Sequence, residues 1–123
     1  MADGVIHAAF NHDFSRFAEN AEADRRAIAA IGDVLAGSDR PFIITAGLPL
    51  APPGRVVTED DAPPASGGSP RVSEQAATAL VARGVHVSVV RMSQVHDRDR
   101  HGLATYMIEI AAKKAFRRIS APG

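Results

Sequence analysis

Three short apolar runs, residues 4–10 (GVIHAAF), 41–46 (PFIITA) and 85–91 (VHVSVVR), are separated by stretches with helical periodicity, and this alternation constrains the chain more than any other feature. The runs are too short for helices and carry Val, Ile and Phe, which suit a pleated surface. In the first run both parities are apolar, Val5 and Ala9 on one side and Ile6, Ala8 and Phe10 on the other. A strand covered on both faces reads this way. In the third run Val85, Val87 and Val89 alternate against His86 and Ser88, the pattern of a half-covered strand. Pro41 opens the second run, at a strand's first position, where a missing N–H is tolerated.

The intervening stretches carry helix signals. Asn11 and Asp13 offer N-caps, and Phe14, Phe17, Ala21, Ile28, Ile31 and Leu35 then recur at spacings built from threes and fours until Gly37 ends the pattern. Ser73 is a cap for a helix running to Arg83 and closed by Gly84, and a last helix is predicted from Leu103 to about Ile119. The order β-α-β-loop-α-β-loop-α implies parallel pairing through right-handed crossovers. The expected fold is therefore α/β and partial Rossmann-like: a three-stranded parallel sheet in order 1-2-3 with three helices, one domain over residues 1–123. Both crossover helices then belong on the same face of the sheet. Residues 47–72 hold six of the eight prolines, with Gly54, Gly67 and Gly68, and read as a long loop that is mobile or folds over the strand ends.

Charge and cysteine usage narrow the function classes. Lys plus Arg and Asp plus Glu balance at 14 each, so no long-range field steers the chain toward nucleic acid or an anionic membrane. The absence of cysteine removes disulfides, thiolate nucleophiles and thiolate metal sites together, and fits a reducing compartment. No apolar run approaches the roughly 20 residues of a membrane span, and MADGVIHAAF lacks the charged start of a signal peptide, so the expected compartment is the cytoplasm.

Few residues promise chemistry. The segment from His96 to His101 puts four imidazole or carboxylate groups within six residues, but Arg98 and Arg100 between them repel a cation and no further ligand cluster completes a metal site. The same arginines suit an anionic substrate. His96, Asp97 and His101 are the candidates for a re-purposed catalytic site of hydrolytic type. A Ser-His-Asp set can be composed from Ser73, His96 and Asp97, but no G-x-S-x-G elbow is present to expose a serine. His7, inside a strand, and His12, just past it, read as satisfied structural histidines. Lys113, Lys114, Arg117 and Arg118 complement the dipole at the end of the last helix. Neither G-x-G-x-x-G nor G-x-x-x-x-G-K-[ST] occurs.

Four stretches in order carry a family likeness. Asp3-Gly4-Val5-Ile6-His7-Ala8-Ala9 is similar to a D-x-V-x-H-x-A strand, and Glu19-Asn20-Ala21 with its helix to N-x-x-G-T-x-x. Phe42-Ile43-Ile44-Thr45-Ala46-Gly47 is similar to a strand ending in a serine-rich turn, and Val87 to His96 to V-x-x-L-R-x-x-x-V-Y-G. Residues 2–101 thus resemble the second half of the Rossmann domain of atypical extended short-chain dehydrogenase/reductases, the NAD-dependent epimerase/dehydratase-like group. The resemblance implies an NAD(P)-type nucleotide or another small molecule at the strands' C-terminal ends, contacted by Ala8, Ala9, Thr45, Met92 and Ser93. It also implies departures. Pro70 and Glu74 stand where the family's Y-x-x-x-K would put tyrosine and lysine, the catalytic serine falls near Gly47, and the Gly-rich first unit and the substrate lobe have no counterpart.

Three expectations follow. The chain is a truncated or degenerate relative of that family, keeping a ligand cleft without the usual catalytic Ser, Tyr and Lys. Alternatively it is a non-catalytic binding or assembly module, or a small hydrolase using His96, Asp97 and His101. A homodimer is expected, because Val5 to Phe10 would otherwise leave an apolar strand edge unpaired.

Overall fold

Alternating burial along the central strand sets the architecture. In the computed structural model Phe42, Ile44 and Ala46 are buried while Ile43, Thr45 and Gly47 are half-buried, so a single face of this strand is sealed. The structure describes residues 2–48, 54–61, 72–93, 98–99 and 103–119, with side chains of the last helix from 105 to 114. The elements are β1 (Val5–His7), a short 3-10 helix (Phe14–Arg16), α1 (Phe17–Leu35), β2 (Phe42–Gly47), α2 (Ser73–Val81), β3 (Val87–Met92) and α3 (Leu103–Ile119). Residues 1–92 form one compact unit and residues 93–123, which include α3, another.

The sheet is parallel, in order β1-β2-β3. Val5, Ile6 and His7 lie beside Phe42, Ile43 and Ile44, and β2 pairs with β3 from Phe42 beside Val87 to Gly47 beside Met92. The α/β class, the strand order and the helices come out as the sequence predicts. Both crossover helices cover one face: Ile28 and Leu35 of α1 and Ala77 and Leu80 of α2 share a core with Phe42, Ile44 and Val85. Fully burying a side chain of that size stabilises by about 1.5–3 kcal/mol, so this one layer is the main source of stability in the unit. The other face leaves Ile6, Val90 and Met92 at 71%, 44% and 50% exposure.

Element ends follow local chemistry. Asp13 caps the 3-10 helix by accepting from the Ser15 N–H at 3.0 Å. Gly37 and Gly84 take φ of +73° and +76° just beyond α1 and α2, a left-handed conformation that favours glycine. The Val85 N–H then reaches back to the Leu80 carbonyl at 3.1 Å, closing α2 with a 6→1 bond. β1 is shorter than the apolar run 4–10. Its ladder stops at His7, whose carbonyl accepts from the Thr45 hydroxyl at 3.2 Å. Ser73 is the first residue of α2, with Val72 as N-cap, because its hydroxyl is committed elsewhere.

Candidate functional site

The carboxyl ends of three parallel strands lie side by side, and small residues dominate there. Ala8 and Ala9, both exposed, follow β1; Ala46 and Gly47 end β2; Met92, half exposed, ends β3, and Ser93 comes next in the chain. The Leu48 N–H donates to the Met92 carbonyl at 3.2 Å, so the β2 and β3 ends are tied together. A Cβ placed on Gly47 would meet no atom within 4 Å, which marks open space at this edge. Thr45 is half-buried and spends its hydroxyl on the His7 carbonyl, which fixes the two strand ends against each other.

Beneath that edge lies a buried polar node. The Asp24 side chain, only 3% exposed, projects from the apolar stripe of α1 formed by Ala21, Ile28 and Leu35. Its Oδ1 is 2.7 Å from His7 Nε2, and its Oδ2 accepts from the Ser73 hydroxyl at 2.5 Å. One carboxylate thereby joins β1, α1 and the first turn of α2. Serine, histidine and aspartate meet here, but the carboxylate sits in the middle and accepts from both neighbours. A hydrolytic triad needs the imidazole between hydroxyl and carboxylate to take the serine proton. Ser73 is 1% exposed, so no substrate reaches it. The node is structural, as His7 was read from sequence.

A second polar cluster lies on the β3 side. The Arg91 Nε and Nη2 donate to the two Glu74 carboxylate oxygens at 2.9 and 3.0 Å, a bidentate fork. The same guanidinium donates through Nη1 to the Thr58 carbonyl at 3.0 Å and through Nη2 to the Asp61 carbonyl at 2.5 Å. Hydrogen bonding to Glu74 raises the Arg91 pKa above its ordinary value, so the cation is permanent. Leu48, Val57, Thr58 to Asp61, Glu74, Thr78, Val89 and Arg91 line an open groove over this cluster. Glu74, the residue that the resemblance would align with a lysine, is thus half of an ion pair.

Aromatic rings gather between β1 and α1. Phe10 contacts His12 and Phe17 with ring centroids 5.3 and 5.5 Å apart, and Phe14 stacks on Phe17 at 5.9 Å. Phe10 is 8% exposed, so the segment after β1 has a small apolar anchor of its own.

The structure therefore brings Ala8, Ala9, Thr45 and Met92 to one sheet edge. His96, Asp97 and His101 lie outside the described residues, as does Pro70. Asp24 and the Glu74–Arg91 pair were not singled out from sequence as partners. The available signal was Asp24 itself, a carboxylate in register with the buried stripe of α1, since buried charges are paired. Among the described residues no group of three or more metal-ligating side chains forms, and no helix is long and apolar enough to cross a membrane.

No protein-family model matches the chain, and no solved structure matches it. It is 36% identical over 116 residues to an uncharacterized protein of Schizosaccharomyces pombe, covering 93% of this chain and 39% of that protein. It is 35% identical over 112 residues to an uncharacterized protein of Saccharomyces cerevisiae, covering 89% of this chain and 38% of that one. The chain spans about two-fifths of the length of the curated relatives it matches.

Proposed function

We propose that the carboxyl edge of the sheet binds a nucleotide-like ligand of the NAD(P) class, as in the epimerase/dehydratase-like group, without that group's Tyr-Lys proton relay. The observation that carries this reading is the row of small residues at two adjacent parallel strand ends: Ala8 and Ala9 after β1 and the unobstructed Gly47 at the end of β2. In open α/β sheets ligands bind outside the carboxyl ends of the strands, where small side chains let a pyrophosphate or ribose approach the backbone. The missing relay is supported by Glu74. A carboxylate forked by Arg91 cannot lower the pKa of a phenol as a lysine ammonium does.

Gly47→Leu is the informative variant, because a Cβ at this position meets no protein atom within 4 Å. Calorimetric titration with NADH and NADPH should show binding to the unmodified chain and a loss of at least about tenfold in Gly47→Leu, with the same circular dichroism. No binding at millimolar NADH or NADPH, or equal binding by both proteins, overturns the reading. Robust NAD(P)H turnover with small carbonyl substrates would overturn the missing relay.

A second reading, a homodimer, is favoured by the exposed Ile6, Val90 and Met92 on the sheet face that α1 and α2 do not cover. Sedimentation equilibrium at micromolar concentration tests it. A folded 12.9 kDa monomer defeats it.

A further inference from the structure

Residues 54–61 are held to the sheet by polar bonds converging on one cation. Val56 is 83% exposed and Val57 half-buried, so little apolar burial fixes the segment. Asp61 organises it from within: its carboxylate accepts from the Thr58 N–H at 2.7 Å and pairs with Arg55, and its own N–H donates to the Thr58 carbonyl at 3.3 Å. This turn presents the Thr58 and Asp61 carbonyls to the Arg91 guanidinium, which Glu74 holds in plane from the other side. The Arg91 and Glu74 side chains are only 15% and 12% exposed. Glu74 therefore supplies the counter-charge that lets a guanidinium sit beneath the segment with its remaining donors aimed at carbonyls.

We propose that residues 54–61 are a strap forming one wall of the groove that runs to Leu48 beside Gly47, and that Arg91 is its latch, set by Glu74. A closure made of charge-assisted hydrogen bonds with little apolar contact opens at lower free energy than the core beneath it. Releasing Arg91 frees the strap and widens the groove while the layer of α1, α2 and β2 stays intact. The inference stands apart from the reading of the strand ends, since it concerns the free protein.

Trypsin reads the strap directly, because Arg55–Val56 lies within it. Cleavage after Arg55, followed by mass spectrometry, should accelerate about ten- to hundredfold in Arg91→Met, as expected for losing hydrogen bonds to a charged group. Glu74→Gln, which keeps the cation but loosens its aim, should be intermediate, and Arg83→Ala unchanged. Hydrogen exchange of the β2 amides should be the same in all four proteins. Equal cleavage after Arg55 in every variant overturns the proposal. So does a parallel loss of protection in β2, which would make Arg91 part of global stability. Should Arg91→Met fail to fold, Glu74→Gln and Arg91→Lys decide the matter on the same two readouts.

Discussion

Gly32 sits inside α1 where that helix crosses α2, and replacing it by alanine sets two effects against each other. On propensity alone Gly32→Ala should stabilise the protein by about 1 kcal/mol, since glycine is the costliest ordinary residue in a helix interior. The structure opposes this. A Cβ at Gly32 would lie 2.7 Å from Leu80 Cδ1, 3.0 Å from Leu80 Cγ and closer still to Cδ2, where ordinary carbon contacts are about 3.5–4.0 Å. Leu80 cannot step aside without cost, because it is 2% exposed and packed in the core with Ile28, Phe42 and Ala77. Either the two helices separate or Leu80 leaves its rotamer, and overpacking of this kind costs about 1–3 kcal/mol or more. The clash wins, giving a net destabilisation of roughly 1–2 kcal/mol. The chain has no tryptophan, so urea denaturation followed by circular dichroism at the helix band is the assay. The midpoint should fall without a change in slope. In a Leu80→Ala background the sign should reverse, because the obstructing methyls are gone and only propensity remains. A Gly32→Ala protein that gains about 1 kcal/mol in the unmodified background would refute the reasoning, since it would mean α1 and α2 do not meet at Leu80.

Other outcomes follow from the polar contacts. Asp24→Ala leaves the Ser73 hydroxyl and His7 Nε2 without their buried partner and should cost about 2–5 kcal/mol in the same denaturation assay. Asp24→Asn, which can still accept from Ser73 and donate to a His7 tautomer with an unprotonated Nε2, should cost distinctly less. The Asp13 carboxyl is held below its ordinary pKa, first by the Ser15 hydroxyl and then by the Ser15 N–H. Its contribution is therefore fully present above the unfolded-state value of about 3.9 and lost as pH falls through the lower folded value. Carboxyl NMR titration should show Asp13 among the more acidic aspartates, and Ser15→Ala should move it up. The Arg83–Asp33 pair is exposed on both sides, at 48% and 61%, so Arg83→Ala should change stability by less than about 1 kcal/mol.

Much of the fold is legible in the sequence because period and punctuation agree there. The Ile28, Ile31 and Leu35 spacing is the stripe that α1 buries, and Gly37 and Gly84 stand where left-handed backbone ends each helix. Two right-handed crossovers between adjacent strands put α1 and α2 on one face, and the shared core bears this out. The length of β1 was not legible. The run to Phe10 is apolar throughout, so hydrophobicity carries no stop signal. The ladder ends because Thr45, 38 residues away, supplies a hydroxyl to the His7 carbonyl. Phe10, read as the last residue of the strand, is buried instead against Phe17 and beside His12.

The site was legible only in its outline. That Ala8, Ala9, Thr45 and Met92 share an edge follows from register once three parallel strands are granted, because each lies at or next to the carboxyl end of its strand. Which polar groups meet below them does not follow, since His7, Asp24 and Ser73 are joined by bonds spanning 17 and 49 positions. Periodicity shows that Asp24 must be buried with a partner, and nothing local says which. Ser73 illustrates the consequence. Its place before an apolar helix reads as an N-cap, whose hydroxyl should serve the N–H groups of its own first turn. In the structure that hydroxyl turns to a carboxylate on another helix, and Val72 takes the cap position without a side-chain bond. The exchange is reasonable energetically: an exposed helix N–H can bond water, whereas a buried carboxylate with one partner missing cannot. Glu74 follows the same logic one residue later, giving its carboxylate to Arg91 in place of the helix start. The first turn of α2 thus forgoes its local caps in favour of two long-range bonds, one to the node under the strand ends and one to the residue that holds the strap.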